Sequence, residues 1–211
     1  MGNRLSGSSS LPGVPSGSFA FNADDQLATE SYDPNGNAVA AGGKSFAYDS
    51  ENRLVSMNGA AVQILYDGDG NRVAKTVNGV TTRYLVDDLN PTGYAQVVEE
   101  TGAVQRTYTY GLQRIGENQV INGAWTPSFY LYDGLGSVRQ LTNAAGAVTD
   151  TYEYDAFGNK INSTGTTSNN YLYRAEQSDS DLGLYYLRAR YYNPATGRFM
   201  SRDPEDGIPA D

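Results

Sequence analysis

Between Arg174 and Asp206 the chain gathers five arginines (Arg174, Arg188, Arg190, Arg198, Arg202) and six carboxylates (Glu176, Asp179, Asp181, Asp203, Glu205, Asp206). Within that span "GRFMSRDP" at 197–204 sets two arginines and an aromatic beside an Asp-Pro step. A carboxylate can take a proton from water, and a guanidinium can stabilise a developing oxyanion, so such a set could hydrolyse a peptide. The same charges could equally form ion pairs that hold a surface turn or a buried plug in place. The chain has no histidine and no cysteine. Serine-histidine hydrolysis, thiolate chemistry and the common zinc sites are therefore excluded. Any catalysis falls to Asp, Glu, Arg, Lys, Tyr, Ser or Thr.

The elements that must position these groups are strands. The 211 residues are 39% hydrophobic and include 17 Tyr and 24 Gly against one Trp. Tyrosine suits half-wet sheet surfaces, and glycine supplies positive-φ turns. A repeat is plain: "SYDPNGN" at 31–37, "AYDSENRL" at 47–54, "LYDGDGNRV" at 65–73, "LYDGLGSV" at 131–138 and "EYDAFGNK" at 153–160. The frame is Tyr-Asp-x-x-Gly-Asn-(Arg/Lys), with degenerate copies near Tyr84 and Tyr108–Tyr110. Each copy reads as a strand entering an Asp/Gly/Asn turn and a second strand leaving it. In "FYLYD" (129–133) alternation puts Phe129, Leu131 and Asp133 on one face and Tyr130 and Tyr132 on the other. The fold class expected is all-β: an array of antiparallel hairpins forming a curved or spiralling sheet. "DGDGN" at 67–71 begins like a calcium loop, but Arg72 and Asn78 stand where that loop needs Gly and Glu. A hairpin turn is the expectation there, and no metal or cofactor is implied. The tyrosine rows are read as packing between strands rather than as sugar platforms.

A net charge of −9 opposes general binding to nucleic acid. No apolar run reaches the roughly 18 residues of a membrane span, and "MGNRLSGSSSLPG" lacks the apolar core of a secretory signal. "MGNRL" matches the second half of the repeat, so the chain is expected to start inside a repeat of a longer protein. Three regions are expected: a Ser/Gly/Pro-rich linker at 1–18, repeats at 19–170 and a terminal segment at 171–211.

The Tyr-Asp repeats followed by "LGLYYLRARYYNPATGRFMSRDP" (182–204) resemble the RHS/YD-repeat family, and the terminal block resembles its RHS repeat-associated core segment. The resemblance implies a sheet that spirals into a hollow shell, often around a C-terminal toxin or effector, with the core segment plugging one end. It also implies secretion or cell-surface display of the parent protein. In toxin members the core segment acts as an intramolecular aspartic peptidase, whereas teneurin-type members use a related shell for adhesion. Carried over by position, the catalytic Asp is Asp203 and the essential Arg is Arg190. Many relatives have Asp where this chain has Asn193. A second acid is not fixed; Asp206 and Asp181 are candidates. Two further readings stay open: Asp203 and Arg190 as an ion pair locking the plug, and self-association through exposed strand edges.

Overall fold

The structure, a computed structural model, describes residues 3–12, 14 and 16–203. A two-stranded ribbon pairs β1 (Ser6–Gly7) with β2 (Gly17–Ser18). Fourteen antiparallel strands then follow in strict sequence order. They are β3 (Ser31–Tyr32), β4 (Ala38–Ala41), β5 (Lys44–Tyr48), β6 (Leu54–Met57), β7 (Val62–Tyr66), β8 (Arg72–Val77) and β9 (Val80–Asp87). The sheet continues with β10 (Gln96–Gly102), β11 (Arg106–Tyr110), β12 (Arg114–Ile121), β13 (Ala124–Tyr132), β14 (Val138–Thr142), β15 (Val148–Tyr154) and β16 (Lys160–Thr164). A second sheet of four strands closes the chain: β17 (Gln177–Asp179), β18 (Leu184–Leu187), β19 (Arg190–Asn193) and β20 (Arg198–Phe199). The all-β array read from the repeat is what forms.

One turn recurs at one rim of the large sheet. Asp155 Oδ1 accepts the amides of Phe157 (2.8 Å) and Asn159 (2.9 Å), and Oδ2 accepts Asn159 Nδ2 (2.7 Å). Asp33, Asp49, Asp67 and Asp133 hold the amides two and four residues on in the same way. Asn143 does so too, a copy that the Tyr-Asp frame does not reveal. In the loop at 67–71 the Asp67 carboxylate is thus taken up by its own turn. Among the described residues no group of three acidic side chains is placed to hold a metal. The register slips by one residue at the tyrosine before each turn: Tyr32, Tyr48, Tyr66, Tyr132 and Tyr154. Tyr110 keeps this bulge, whereas a longer loop follows β9. The opposite rim uses tight two-residue turns with positive φ at both positions, Gly42-Gly43, Asn58-Gly59, Asn78-Gly79 and Asn122-Gly123.

The bulges bend the strands, and the contacts show how far the sheet curls. Lys44 Nζ on β5 donates to Leu182 O at 2.7 Å, and Tyr185 Oη donates to Gly158 O, in the turn after β15, at 2.9 Å. A flat sheet would hold those strands roughly 50 Å apart; residues 182–185 can span only about 10 Å. β18 makes the same point. Its consecutive residues Tyr185 and Tyr186 face opposite ways. Tyr185 packs with Tyr108, Tyr130, Val138 and Leu141, and Tyr186 with Phe46, Leu54, Val62 and Ile64. The large sheet therefore wraps both faces of the small one, which is the plug. Tyr130 is buried inside while Phe129 and Leu131 are 41% and 44% exposed outside, so the tyrosine rows are core packing.

Charge is buried along the plug as well. Asp179 lies 2% exposed against Arg72, Lys75 Nζ (2.7 Å) and Tyr191. Burial alone would raise the Asp179 carboxyl, but Arg72 and Lys75 outweigh it and hold it below its ordinary value. The Asp179 contribution is therefore complete above the unfolded carboxylate value and lost only as pH falls through the lower folded one. Asp179→Asn should cost roughly 3–5 kcal/mol in denaturant unfolding, because it strands Arg72 in the interior. Its stability gap to wild type should hold from about pH 8 to pH 4 and close only below that. Asp155→Ala should cost about 2 kcal/mol, read from the same curves, since it removes the acceptor for three donors.

Candidate functional site

The β19–β20 hairpin places the terminal arginines and Asp203. Asn193 Oδ1 accepts the Ala195 amide (3.0 Å) and Asn193 O accepts the Gly197 amide (2.8 Å). Asn193 thus caps this turn as Asp155 and its equivalents cap theirs, and an asparagine oxygen serves as well as a carboxylate. Gly197 (φ 72°) lets the turn sit against the Phe157 ring, where a side chain would collide. Met200 then joins the two sheets: its amide donates to Tyr191 O and its carbonyl accepts the Ala38 amide, both at 2.8 Å.

Beyond Met200 the chain brings Asp203 to Arg190. Arg190 Nη2 and Asp203 Oδ2 lie 2.8 Å apart, with the Arg190 guanidinium stacked 3.8 Å from the Phe199 ring centre. The pair lines a cleft of about 270 Å³ with Glu51, Asn52, Pro34, Asn35 and Ser201. A broader cleft of about 720 Å³ adjoins it across Pro34, Asn35, Ser201 and Arg202 and reaches Asp24, Asp25 and Arg198. The Asp203 side chain is 56% exposed and that of Arg190 20%. The pair is thus open to solvent and not buried, which removes the basis for reading it as a buried lock. A carboxylate oxygen, a fixed guanidinium and room for a peptide stand together here.

The other sequence candidates go elsewhere. Asp181 pairs with Lys75 at 3.0 Å, beside Asp179 and away from the cleft, because the β17–β18 turn points toward β8. Asp206 lies outside the described residues, as does Glu205. The arginine cluster disperses: Arg188 pairs with Glu176 (3.0 Å), Arg174 donates to Leu135 O (3.1 Å) and Arg198 to Asn3 and to Asp25 O. Asp179 is neutralised by Arg72 and Lys75 of the repeats instead of by that cluster. Glu51 and Asn52 enter the cleft from the turn after β5. Their signal in the sequence is only that they occupy the Tyr-Asp turn, the rim to which the terminal hairpin docks.

Residues 24–206 match the teneurin YD-shell family profile. The chain belongs to the teneurin YD-shell family. The YD-shell segment is 35% identical over 210 residues to the tRNA nuclease WapA of Bacillus subtilis strain 168, covering 91% of this chain and 9% of that protein. It is 26% identical to the double-stranded DNA deaminase toxin A of Burkholderia cenocepacia strain H111, over 82% of this chain and 15% of the relative. The crystal structure of TcdB2-TccC3 without its hypervariable C-terminal region shares the fold, with a TM-score of 0.66 at 18% identity over 89% of this chain and 11% of that one. The YD shell here thus spans between a tenth and a seventh of the length of these proteins.

An ion pair this exposed contributes little to folding. Asp203→Asn in the YD-shell chain should shift stability by less than about 1 kcal/mol in thermal unfolding. A markedly larger loss would mean that the pair is structural.

Proposed function

We propose that this chain is part of an RHS-type shell that encloses a toxin or effector segment of its parent protein, and that Asp203 and Arg190 cut the parent chain once, in cis. The observation that carries the reading is the curl of fourteen strands around the plug, with an open carboxylate–guanidinium pair at the plug's end. The relatives support it, since two of them are named as a nuclease and a deaminase toxin. Secretion or surface display of the parent belongs to the same proposal.

The chemistry uses this chain's own groups. The Asp203 carboxylate takes a proton from a water as that water's oxygen bonds the peptide carbonyl carbon. Arg190 stabilises the oxyanion that forms. The C–N bond then breaks and Asp203 returns the proton to the leaving nitrogen, so it ends as it began. The substrate is tethered, so positioning costs little and one turnover suffices.

Intact mass spectrometry of the chain extended by its native continuation beyond Asp211 tests this. The wild type should lose a C-terminal fragment, while Asp203→Asn and Arg190→Ala should remain whole. If all three remain whole, the pair is not a peptidase. The terminal block is then a plug, and assembly through the outer edges of β3 and β16, each paired on one side among the described residues, becomes the reading to pursue.

A further inference from the structure

On the inner face of the sheet, β10–β13 bury a second charged group unrelated to the cleft. Glu100, Arg106 and Glu117 have side chains no more than 1% exposed. Glu100 is fully served: Oε1 accepts Tyr108 Oη (2.7 Å) and Oε2 accepts Arg106 Nη1 (3.2 Å). Glu117 is not. Arg106 Nε stands 3.6 Å from Glu117 Oε2 and makes no hydrogen bond. Gln119 Nε2 reaches Oε1 only at 3.5 Å. The good contact of Glu117 is Tyr130 Oη, at 2.8 Å from Oε2.

That hydroxyl also lies 3.1 Å from Asn169 Oδ1. Asn169 sits in the segment that crosses from β16 to the plug, and its amide orientation is fixed by Tyr171: Nδ2 donates to Tyr171 O (2.8 Å) and Oδ1 accepts Tyr171 N (2.9 Å). Tyr130 therefore faces two acceptors with one proton. With Glu117 neutral, the carboxyl proton goes to Tyr130 and the Tyr130 proton goes to Asn169, and every group is satisfied. With Glu117 ionised, the Tyr130 proton goes to the carboxylate and Asn169 loses it. Arg106 responds in the same direction. Its Nη2 holds Ser168 O (2.8 Å) and Ser168 Oγ (3.0 Å), and a charged Glu117 draws the guanidinium away from them.

We propose that Glu117 and Tyr130 form a proton-operated latch on Ser168–Tyr171: neutral Glu117 lets Tyr130 and Arg106 hold this segment to the sheet, and ionised Glu117 releases it. The release is local. Thr167 stays tied to Asp150 on one side, and Val138 N stays bonded to Leu172 O on the other. The groups facing Glu117 are Glu100 from β10, Arg106 and Tyr108 from β11, Arg114 on its own strand, Tyr130 from β13 and Tyr152 from β15. Arg114 lies 3.1 Å from the Tyr171 ring centre, caged by tyrosines. Burial pushes the Glu117 carboxyl up to about 7, against the pull of Arg106 and of the Tyr130 hydrogen bond. The folded value is above the unfolded one, so the latch is fully closed in mild acid and opens as pH rises through neutrality.

Amide hydrogen exchange of Tyr171, corrected for intrinsic rates, reads the latch directly. Between about pH 5.5 and 8.0 the wild type should lose roughly tenfold in protection at Ser168–Tyr171, matching the shift to ionised Glu117. Glu117→Gln, which stays neutral and can donate to Tyr130, should hold the same protection at both values. Equal wild-type protection at both, or an undiminished drop in Glu117→Gln, overturns the proposal. Carboxyl carbon-13 titration of the wild type needs no variant: a Glu117 midpoint of about 7 is expected, and one in the ordinary range near about 4 overturns it. Neither readout involves Asp203, so the latch stands or falls apart from self-cleavage.

Discussion

The carboxylate of each Tyr-Asp turn accepts two amides of its own loop, and the bulge at the preceding tyrosine leaves the residue after the turn out of step with the ladder. That residue is then offered to whatever lies inside the curl. Its carbonyl takes a tyrosine hydroxyl from a later strand: Tyr48 bonds Ala38 O, Tyr66 bonds Leu54 O and Tyr154 bonds Val138 O. Its amide is what the terminal segment uses. Met200 O takes the Ala38 amide and Leu172 O takes the Val138 amide. One local preference of Asp, repeated at one rim, thus sets the bend of each strand, the pegs between strands and the sockets for the plug.

Polarity is distributed against the usual rule. The interior holds tyrosines and ions, while Trp125, Phe129 and Leu131 lie outside. The curl leaves an inner surface covered by only four further strands, and tyrosine fills such space while its hydroxyl reaches a backbone acceptor. Buried charges add little net stability when paired but penalise any other pairing heavily. Asp179 with Arg72 and Lys75, and Glu100 with Arg106, therefore select one seating of the plug among the near-equivalent repeats. Arg114 reaches the same end without a carboxylate, by lying against tyrosine rings.

The strand array and the Tyr-Asp turns were legible because their chemistry is local: Asp, Gly and Asn in fixed order suffice. Asn143 escaped because asparagine replaces the motif's aspartate, and the Asn-Gly turns at 58–59, 78–79 and 122–123 carried a signal equally strong and equally local. Asp203 and Arg190 were legible only through family resemblance; the structure then brought them together. Asp179 with Arg72 was not legible, because 107 residues separate partners that meet only once the sheet has curled. Asp181 was misplaced for the same reason, since its neighbour is Lys75, 106 residues earlier. The cleft residues Glu51 and Asn52 come from a turn like all the others, and nothing in their own sequence marks that turn as the one beside Asp203.

The ties between the plug and the two ends of the large sheet have an order along the chain. Asn159 Nδ2 grips Pro194 O, Phe157 rests on Gly197, Ala38 holds Met200 O and Gly36 supports the Arg202 side chain. Residues 194–202 are thus a clasp that fastens the last hairpin to the first. Every one of those points precedes Asp203. A backbone severed anywhere after Asp203 would leave the clasp fastened and the curl shut, so covalent freedom of a downstream segment and its physical escape are separate events in this architecture, with separate barriers.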